Sequence, residues 1–218
     1  VSEFLQHSQR ILPVLLEGMG MTLFLTAVSG LLGTVLGALT ALARIARNKV
    51  LVVVASGYVT LFRGTPLLLQ ILFFWGVMGQ VLPKAPGYVF VIFALALNAG
   101  AYIAEIIRAA IQSIDKGQME AARSVGMSYG MAMRRIVFPQ TFRRLLPPMV
   151  NEAAALTKET SLAMAVGVLE MMKYSQQFVS RTGNIASTYI WTAAGYLIVT
   201  VALTSLATHL EKKLEARG

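Results

Sequence analysis

Four ionisable side chains interrupt otherwise apolar stretches of this 218-residue sequence: Arg63, Glu152, Lys158 and Glu159. A charge at the centre of a hydrocarbon layer costs about 2.5–3.5 kcal/mol on insertion scales, so such residues are functional candidates by default. Thr65, Gln70, Asn98, Asn151, Thr160 and Ser161 add hydrogen-bonding groups to the same segments. Together they can hold a polar solute by charge and hydrogen bonds. Bond-breaking chemistry has little to draw on. There is no cysteine, His7 and His209 stand at opposite ends, and Asp115 is the only aspartate. That removes thiolate chemistry, a histidine triad, a His-rich metal site and a paired-aspartate centre. No G-x-x-x-x-G-K-[S/T] phosphate loop is present, so the chain is expected to hold neither metal nor cofactor and to grip no ATP by that means.

The elements that carry these residues read as membrane helices. The chain is 56% hydrophobic and 13% charged, against about 25% charged in average globular usage. Gly18–Ala43, Gly64–Pro83, Ala85–Ala104 and Thr182–Leu210 contain no charge, and each reaches the ~20 residues that cross a ~30 Å hydrocarbon core. Leu145–Leu169 is as apolar apart from Glu152, Lys158 and Glu159. The expectation is an all-α integral membrane protein forming a single domain over 1–218. Its five spans fall roughly at 14–43, 53–82, 86–107, 145–169 and 186–210. The polar start, Val1–Pro13, has Arg10 as its only positive charge, and the run after it is too long for a signal-peptide core, so the first span is expected to be retained. Gly33-x-x-x-Gly37 permits close helix approach, with ordinary glycine enrichment of membrane helices as the alternative.

Val50–Pro83 carries one charge, Arg63, and as one helix would overshoot the bilayer. Proline cannot donate an amide and disfavours helical geometry before it, which predicts a break at Arg63-Gly64-Thr65-Pro66. Thr65 reads as the N-cap and Pro66 as the first residue of a fresh helix whose free amides face into the bilayer. A simple kink is the alternative. In the polar region 108–144, Asp115 to Gln118 reads as a capping box. A short helix over Met119–Val125 follows, stopped by Gly126, and then Ser128 caps a helix over Tyr129–Phe138 that Pro139 ends. With the N-terminus outside, 13 of the 19 Lys and Arg fall on the inner side, so the positive-inside rule puts 108–144 and the C-terminus in the cytoplasm. The formal charge of +9 is thereby read as topology rather than nucleic-acid binding.

Glu120-Ala121-Ala122, three residues, Gly126, nine residues, then Ile136-Val137-Phe138-Pro139 resembles the EAA loop, E-A-A-x3-G-x9-I-x-L-P, of ABC importer membrane subunits, with Phe138 in place of leucine. Phe62-Arg-Gly-Thr-Pro66, Ala101-Tyr-Ile-Ala-Glu105-Ile-Ile-Arg108, Gly117-Gln118, Pro139-Gln140 and Lys158-Glu-Thr-Ser-Leu162 are similar to permeases of the polar amino-acid uptake branch. The likeness covers about residues 14 to 210. It implies a type I importer permease fold in a bacterial plasma (inner) membrane, driven by ATP bound elsewhere. The implied partners are two copies of an ATP-binding cassette ATPase, a second permease subunit that is either identical or a sibling, an extracytoplasmic solute-binding protein, and membrane lipid. Glu120, Ala121, Ala122, Gly126, Ile136 and Pro139 would then form the ATPase-coupling segment. Arg134, Arg135, Arg143 and Arg144 would meet either acidic groups of the ATPase or anionic lipid. The chain itself would catalyse no reaction.

An amino acid brings a carboxylate and an ammonium. The helix start at Thr65, with Arg63, suits the carboxylate, and Glu159 suits the ammonium or a basic side chain. Glu152 and Glu159, seven residues apart, share a helix face ~10 Å apart, whereas Lys158 points elsewhere. A direct Arg63–Glu159 pair is the competing reading. Glu105 and Arg108, three apart, read as a structural pair, and Tyr102 as an interface aromatic. An ion-coupled secondary carrier acting without an ATPase is the rival function. The lack of a repeated half and the docking features of the cytoplasmic loop weigh against it.

Overall fold

The computed structural model describes residues 2–215, and among these it is helical throughout with no strand. Helix α1 spans Ser2–Arg44, α2 Lys49–Gly64, α3 Leu67–Val81, α4 Gly87–Gln112, α5 Lys116–Ser124 and α6 Tyr129–Ala132. After a π turn over Met133–Val137 come α7 (Phe138–Glu159), a 3₁₀ segment (Thr160–Val166), α8 (Met171–Thr182) and α9 (Ile185–Glu215).

The most extensive contact in the molecule is between α1 and α4, and glycines permit it. A Cβ on Gly33 would lie 3.1 Å from that of Ala99, and one on Gly37 would lie 2.6 Å from Ile103 Cγ2. Gly100 is closed from the opposite side, where its Cβ would meet the Tyr58 hydroxyl at 2.8 Å. The Gly33-x-x-x-Gly37 pattern is therefore a packing seam. Around it Leu25, Ile71, Val91, Leu95, Ile103 and Leu156 form the main core. Ile11, Leu15 and Met171 form a second, smaller core with Phe178, Trp191 and Tyr196. Large apolar side chains remain exposed on the flanks, Val53 at 69% and Ile198 at 65% among them. Contiguous apolar surface on this scale suits lipid or another subunit better than water.

The expected elements need several corrections. The N-terminal thirteen residues are not a separate polar lead: α1 runs from Ser2 through Pro13, and its first turns pack on α8 and α9 through Ile11 and Leu15. Among the described residues three helices are long and apolar enough to cross a bilayer, within Gln6–Arg44, Gly87–Gln112 and Ile185–Leu206, and the pair α2–α3 makes a fourth if counted as one broken span. The segment expected at 145–169 falls short because α7 carries Arg143, Arg144, Glu152, Lys158 and Glu159 and then gives way to the 3₁₀ segment, which ends at Gly167 with φ +79°. The following α8 is a helix that apolar patterning alone does not reveal.

Pro139 does not end a helix over Tyr129–Phe138. The Phe138 N–H bonds the carbonyl of Met133, five residues back, so the ladder slips by one residue just before the proline, and its missing N–H falls where the α register is already interrupted. Two caps were legible: Asp115 accepts from Gly117 N at 2.6 Å and Ser128 from Met131 N at 3.2 Å. The helix that follows Asp115 accordingly begins at Lys116, ahead of the expected Met119, and Gly126 follows it at φ +86°. Of the basic residues assigned to the C-terminal tail, Arg217 lies outside the described residues.

The α1–α4 seam predicts an asymmetry between glycines. Gly37→Ala forces a methyl into Ile103 and should destabilise by about 1–3 kcal/mol, as overpacking does. Gly57→Ala, on the open face of α2 where an added Cβ meets nothing within 4 Å, should be neutral or slightly stabilising. Thermal unfolding of the purified protein in detergent compares the two directly.

Candidate functional site

At the break, α2 and α3 meet at 105°. Thr65 stands at the C-terminal end of α2, and Pro66 is the N-cap of α3, whose first helical residue is Leu67. Thr65 is thus not the cap of the new helix: its hydroxyl donates back to the Leu61 carbonyl at 2.8 Å. Two buried amides brace the junction. Gln70 Nε2 donates to the carbonyls of Phe62 (2.9 Å) and Thr65 (3.1 Å) and to the Thr65 hydroxyl (2.9 Å). Asn98 Nδ2, from α4, donates to the same Phe62 carbonyl and to Gln70 Oε1, both at 3.0 Å. Carbonyls freed by a helix end in hydrocarbon must find donors, and these two side chains supply them. Gln70 and Asn98 therefore spend their hydrogen-bonding capacity on holding the break.

Arg63, at the same end of α2, turns toward α4. Its guanidinium lies 3.9 Å from Glu105 and 5.1 Å from the centre of the Tyr102 ring. The expected Glu105–Arg108 pair is present, and Arg44 joins it. Among the described residues every ion pair converges on Glu105, so Arg63 is paired with Glu105 and not with Glu159.

The acidic residues lie on α7. Glu152 is half-buried in a cavity of about 400 Å³ between α1, α7 and α9, lined also by Thr26, Gly30, Thr34, Met149 and Leu156. Glu159, two turns farther along α7, is half-buried as well. Thr160 is buried and donates to the Thr157 carbonyl at 2.7 Å. Lys158 and Ser161 open onto a separate cavity of about 540 Å³ against α9, lined by Tyr189, Thr192, Tyr196 and Thr200. Asn151 is exposed. The polar residues read from the sequence are consequently not gathered in one site: Thr65, Gln70 and Asn98 hold the break, Arg63 joins Glu105, Glu152 faces one cavity, Lys158 and Ser161 another, and Asn151 is exposed.

Sequence reasoning missed Glu170. It is fully buried, caps α8 by accepting from Met172 N (2.8 Å) and Lys173 N (2.7 Å), and receives the Tyr196 hydroxyl at 2.7 Å. Beside it Gly18 lets α1 approach so closely that a Cβ there would be 2.6 Å from Met171 Cα. A glutamate closing an apolar run, ahead of a polar-patterned stretch that ends in glycine, was the available signal.

In the 108–144 region Glu120 and Ala121 face solvent while Ala122 packs inward. Ile136 is half-buried and Pro139 exposed. Val125 (74% exposed), Tyr129 (62%) and Phe138 (47%) give this end of the molecule an unpartnered apolar surface. Arg144 donates to the Ser113 carbonyl, tying α7 to the end of α4.

A lipid-suited helical molecule with a braced broken helix, a few charges in its apolar part and an apolar projection at one end has the makings of a membrane transport subunit. Comparison with known proteins gives the family: residues 33–216 match the binding-protein-dependent transport system inner membrane component, and the chain belongs to it. It is 35% identical over 206 residues to the arginine transport system permease protein ArtQ of Bacillus subtilis (strain 168), covering 94% of both chains. It is 39% identical over 205 residues to the nopaline transport system permease protein NocM of Agrobacterium fabrum, covering 89% of this chain and 85% of the other. A crystal structure of an amino acid ABC transporter with histidines superposes with TM-score 0.90 at 36% identity, covering 96% of this chain and 98% of that one. The MetNI methionine ABC transporter in an inward-facing form, at 21% identity and TM-score 0.80, shares the fold.

The bracing of the break is testable. Gln70→Leu keeps much of the volume but leaves the Thr65 carbonyl without this donor, and should cost about 1–3 kcal/mol. Because Gln70 and Asn98 share the Phe62 carbonyl and bond each other, Gln70→Leu with Asn98→Leu should cost less than the sum of the two single changes. Thermal or denaturant unfolding of the three variants measures the difference.

Proposed function

We propose that this chain is the membrane-spanning permease of an ATP-driven importer for a polar amino acid, and that a basic amino acid is the preferred cargo. In this reading the domain spans 1–218 with five crossings. α1, the α2–α3 pair, α4 and α9 make four, and α7 with its 3₁₀ extension makes the fifth, its charges turned to the path rather than to lipid. The N-terminus is outside and the C-terminus cytoplasmic, as the distribution of Lys and Arg favours.

The observation that carries the reading is a half-buried glutamate, Glu152, set in a cavity between α1, α7 and α9 in a chain otherwise nearly free of membrane charge. An amino acid presents opposite charges to such a place: its carboxylate to Arg63 and the amides at the start of α3 near Thr65, its ammonium or basic side chain to Glu159 and Glu152. Asn151 and Thr160 flank these two acids along α7 and its extension, Ser161 faces the neighbouring cavity against α9, and Gln70 and Asn98 serve the path by fixing the break. Support for the basic cargo comes from the two acids and from the arginine system named above. A path needs walls on all sides, and one chain leaves its apolar flanks open, so a second permease subunit, a copy or a sibling, completes it.

Two ATPase copies bind the ATP, so the chain needs no cofactor and catalyses no step itself. They dock on the segment holding Glu120, Ala121, Ala122, Gly126, Ile136 and Pro139, where Val125 and Tyr129 offer the apolar contact. A solute-binding protein outside delivers the cargo, as the family's description as binding-protein-dependent suggests.

The test uses the complex of this chain with its ATPase subunits. Glu159→Gln should weaken the affinity for arginine about tenfold or more, the loss of one charge-assisted hydrogen bond, while ATPase recruitment persists. Titration calorimetry and vesicle uptake read the two quantities. Unchanged affinity and uptake would remove Glu159 from the binding site.

A further inference from the structure

The Glu105 cluster lies outside the proposed cargo site, yet one of its members, Arg63, reaches into it. One carboxylate receives three guanidinium groups from three helices. Arg44, the last residue of α1, donates to Oε2. Arg63, next to last in α2, approaches the same oxygen at 3.9 Å. Arg108, one turn along α4, donates to Oε1 through both Nε (3.1 Å) and Nη2, and its remaining arm meets Gln112 at 2.5 Å.

The three contacts differ in firmness. The Arg44 and Arg108 contacts are direct, with side chains 17% and 28% exposed, whereas Arg63 stands farther off and is 40% exposed. A group held by a longer ion pair and the Tyr102 ring face is the one that can most readily let go. Arg44 and Arg63 stand at the two ends of the stretch made by the α1–α2 turn and α2, so their shared carboxylate ties those ends together at the point where α2 is about to break. Farther along the same α4, Ser113 accepts from Arg144 of α7, and Asp115 caps α5. Glu105 therefore sits between the break and the loop that meets the ATPase.

We infer that Glu105 is a positioning residue for transport: it sets where Arg63 points and holds the inner ends of α1 and α4 to the broken end of α2, so that movement of the 108–144 loop is delivered to the break. This rests on the chain being an ATP-coupled permease. The charge count gives the inference a definite sign. Without the carboxylate, three guanidinium groups face one another uncompensated, and the inner ends should part. Removing one of the three as well should relieve part of the defect.

The experiment uses the assembled complex in lipid vesicles and reads amino acid taken up per ATP hydrolysed. Spin-label distance between Arg47→Cys and Ala109→Cys is a second readout, both positions being exposed in a chain with no native cysteine. Glu105→Gln should lower uptake per ATP about fivefold or more and lengthen or broaden the 47–109 distance. Glu105→Gln combined with Arg44→Gln should recover part of both. Glu105→Asp, which keeps the charge and is the variant to read if Glu105→Gln does not assemble, should lie nearer to wild type than to Glu105→Gln or, failing that comparison, retain more than half of the wild-type ratio. Wild-type coupling and distance in Glu105→Gln, a double variant worse than the single one, or Glu105→Asp with coupling abolished would each overturn the inference. A wild-type chain that recruits no ATPase would overturn the permease reading instead, and this inference with it.

Discussion

A helix that stops inside a hydrocarbon layer leaves backbone carbonyls with no water to satisfy them, and the rest of this molecule is arranged around that fact. The carbonyls of Phe62 and Thr65 are met by Gln70 from the far side of the break and by Asn98 from α4. Asn98 can reach Phe62 only if α4 is fixed in depth and rotation. Its fixation comes from the glycine seam with α1, where the backbones approach so closely that no side chain fits. Tyr58 adds a further tie by donating to the Leu97 carbonyl at 2.6 Å. Packing on one side of α4 thus supports polar satisfaction on the other.

Much of this was legible in residue order, for reasons that differ by element. The break could be located because proline's geometry is local, but the role of Thr65 could not: whether a threonine caps the next helix or bonds back to its own depends on the donors nearby, and Gln70 supplied them. Pro139 misled for a related reason. A proline ends a helix only if the register cannot slip, and the π turn over Met133–Val137 allows it to slip. The α7 segment shows the limit of hydropathy, since the ionisable residues that make it a candidate path wall also lower its score as a span.

Candidate site residues were identifiable by cost, because charge in an apolar run needs a reason. Their partners were not. Arg63 lies 42 positions from Glu105 and 96 from Glu159, and nothing in the spacing favours one carboxylate over the other; only the fold, which ends α2 beside the inner half of α4, decides. Glu170 escaped notice because it marks the end of an apolar run, where a glutamate is unexceptional, and its burial depends on Gly18 and Tyr196, which approach from both ends of the chain.

That last arrangement bears on how the chain is made. Synthesis runs from the N-terminus, so α1 enters the membrane with Thr22 and the bare backbone at Gly18 facing a place that Met171 and Glu170 have yet to fill. Glu170 in turn waits for the Tyr196 hydroxyl, which arrives only when the last helix has been inserted. Until then a carboxylate destined for the interior has to be shielded by water or by the insertion machinery. The contacts of α1, α8 and α9 around Glu170 can therefore form only after α9 has been inserted, which makes α9 a checkpoint for α1.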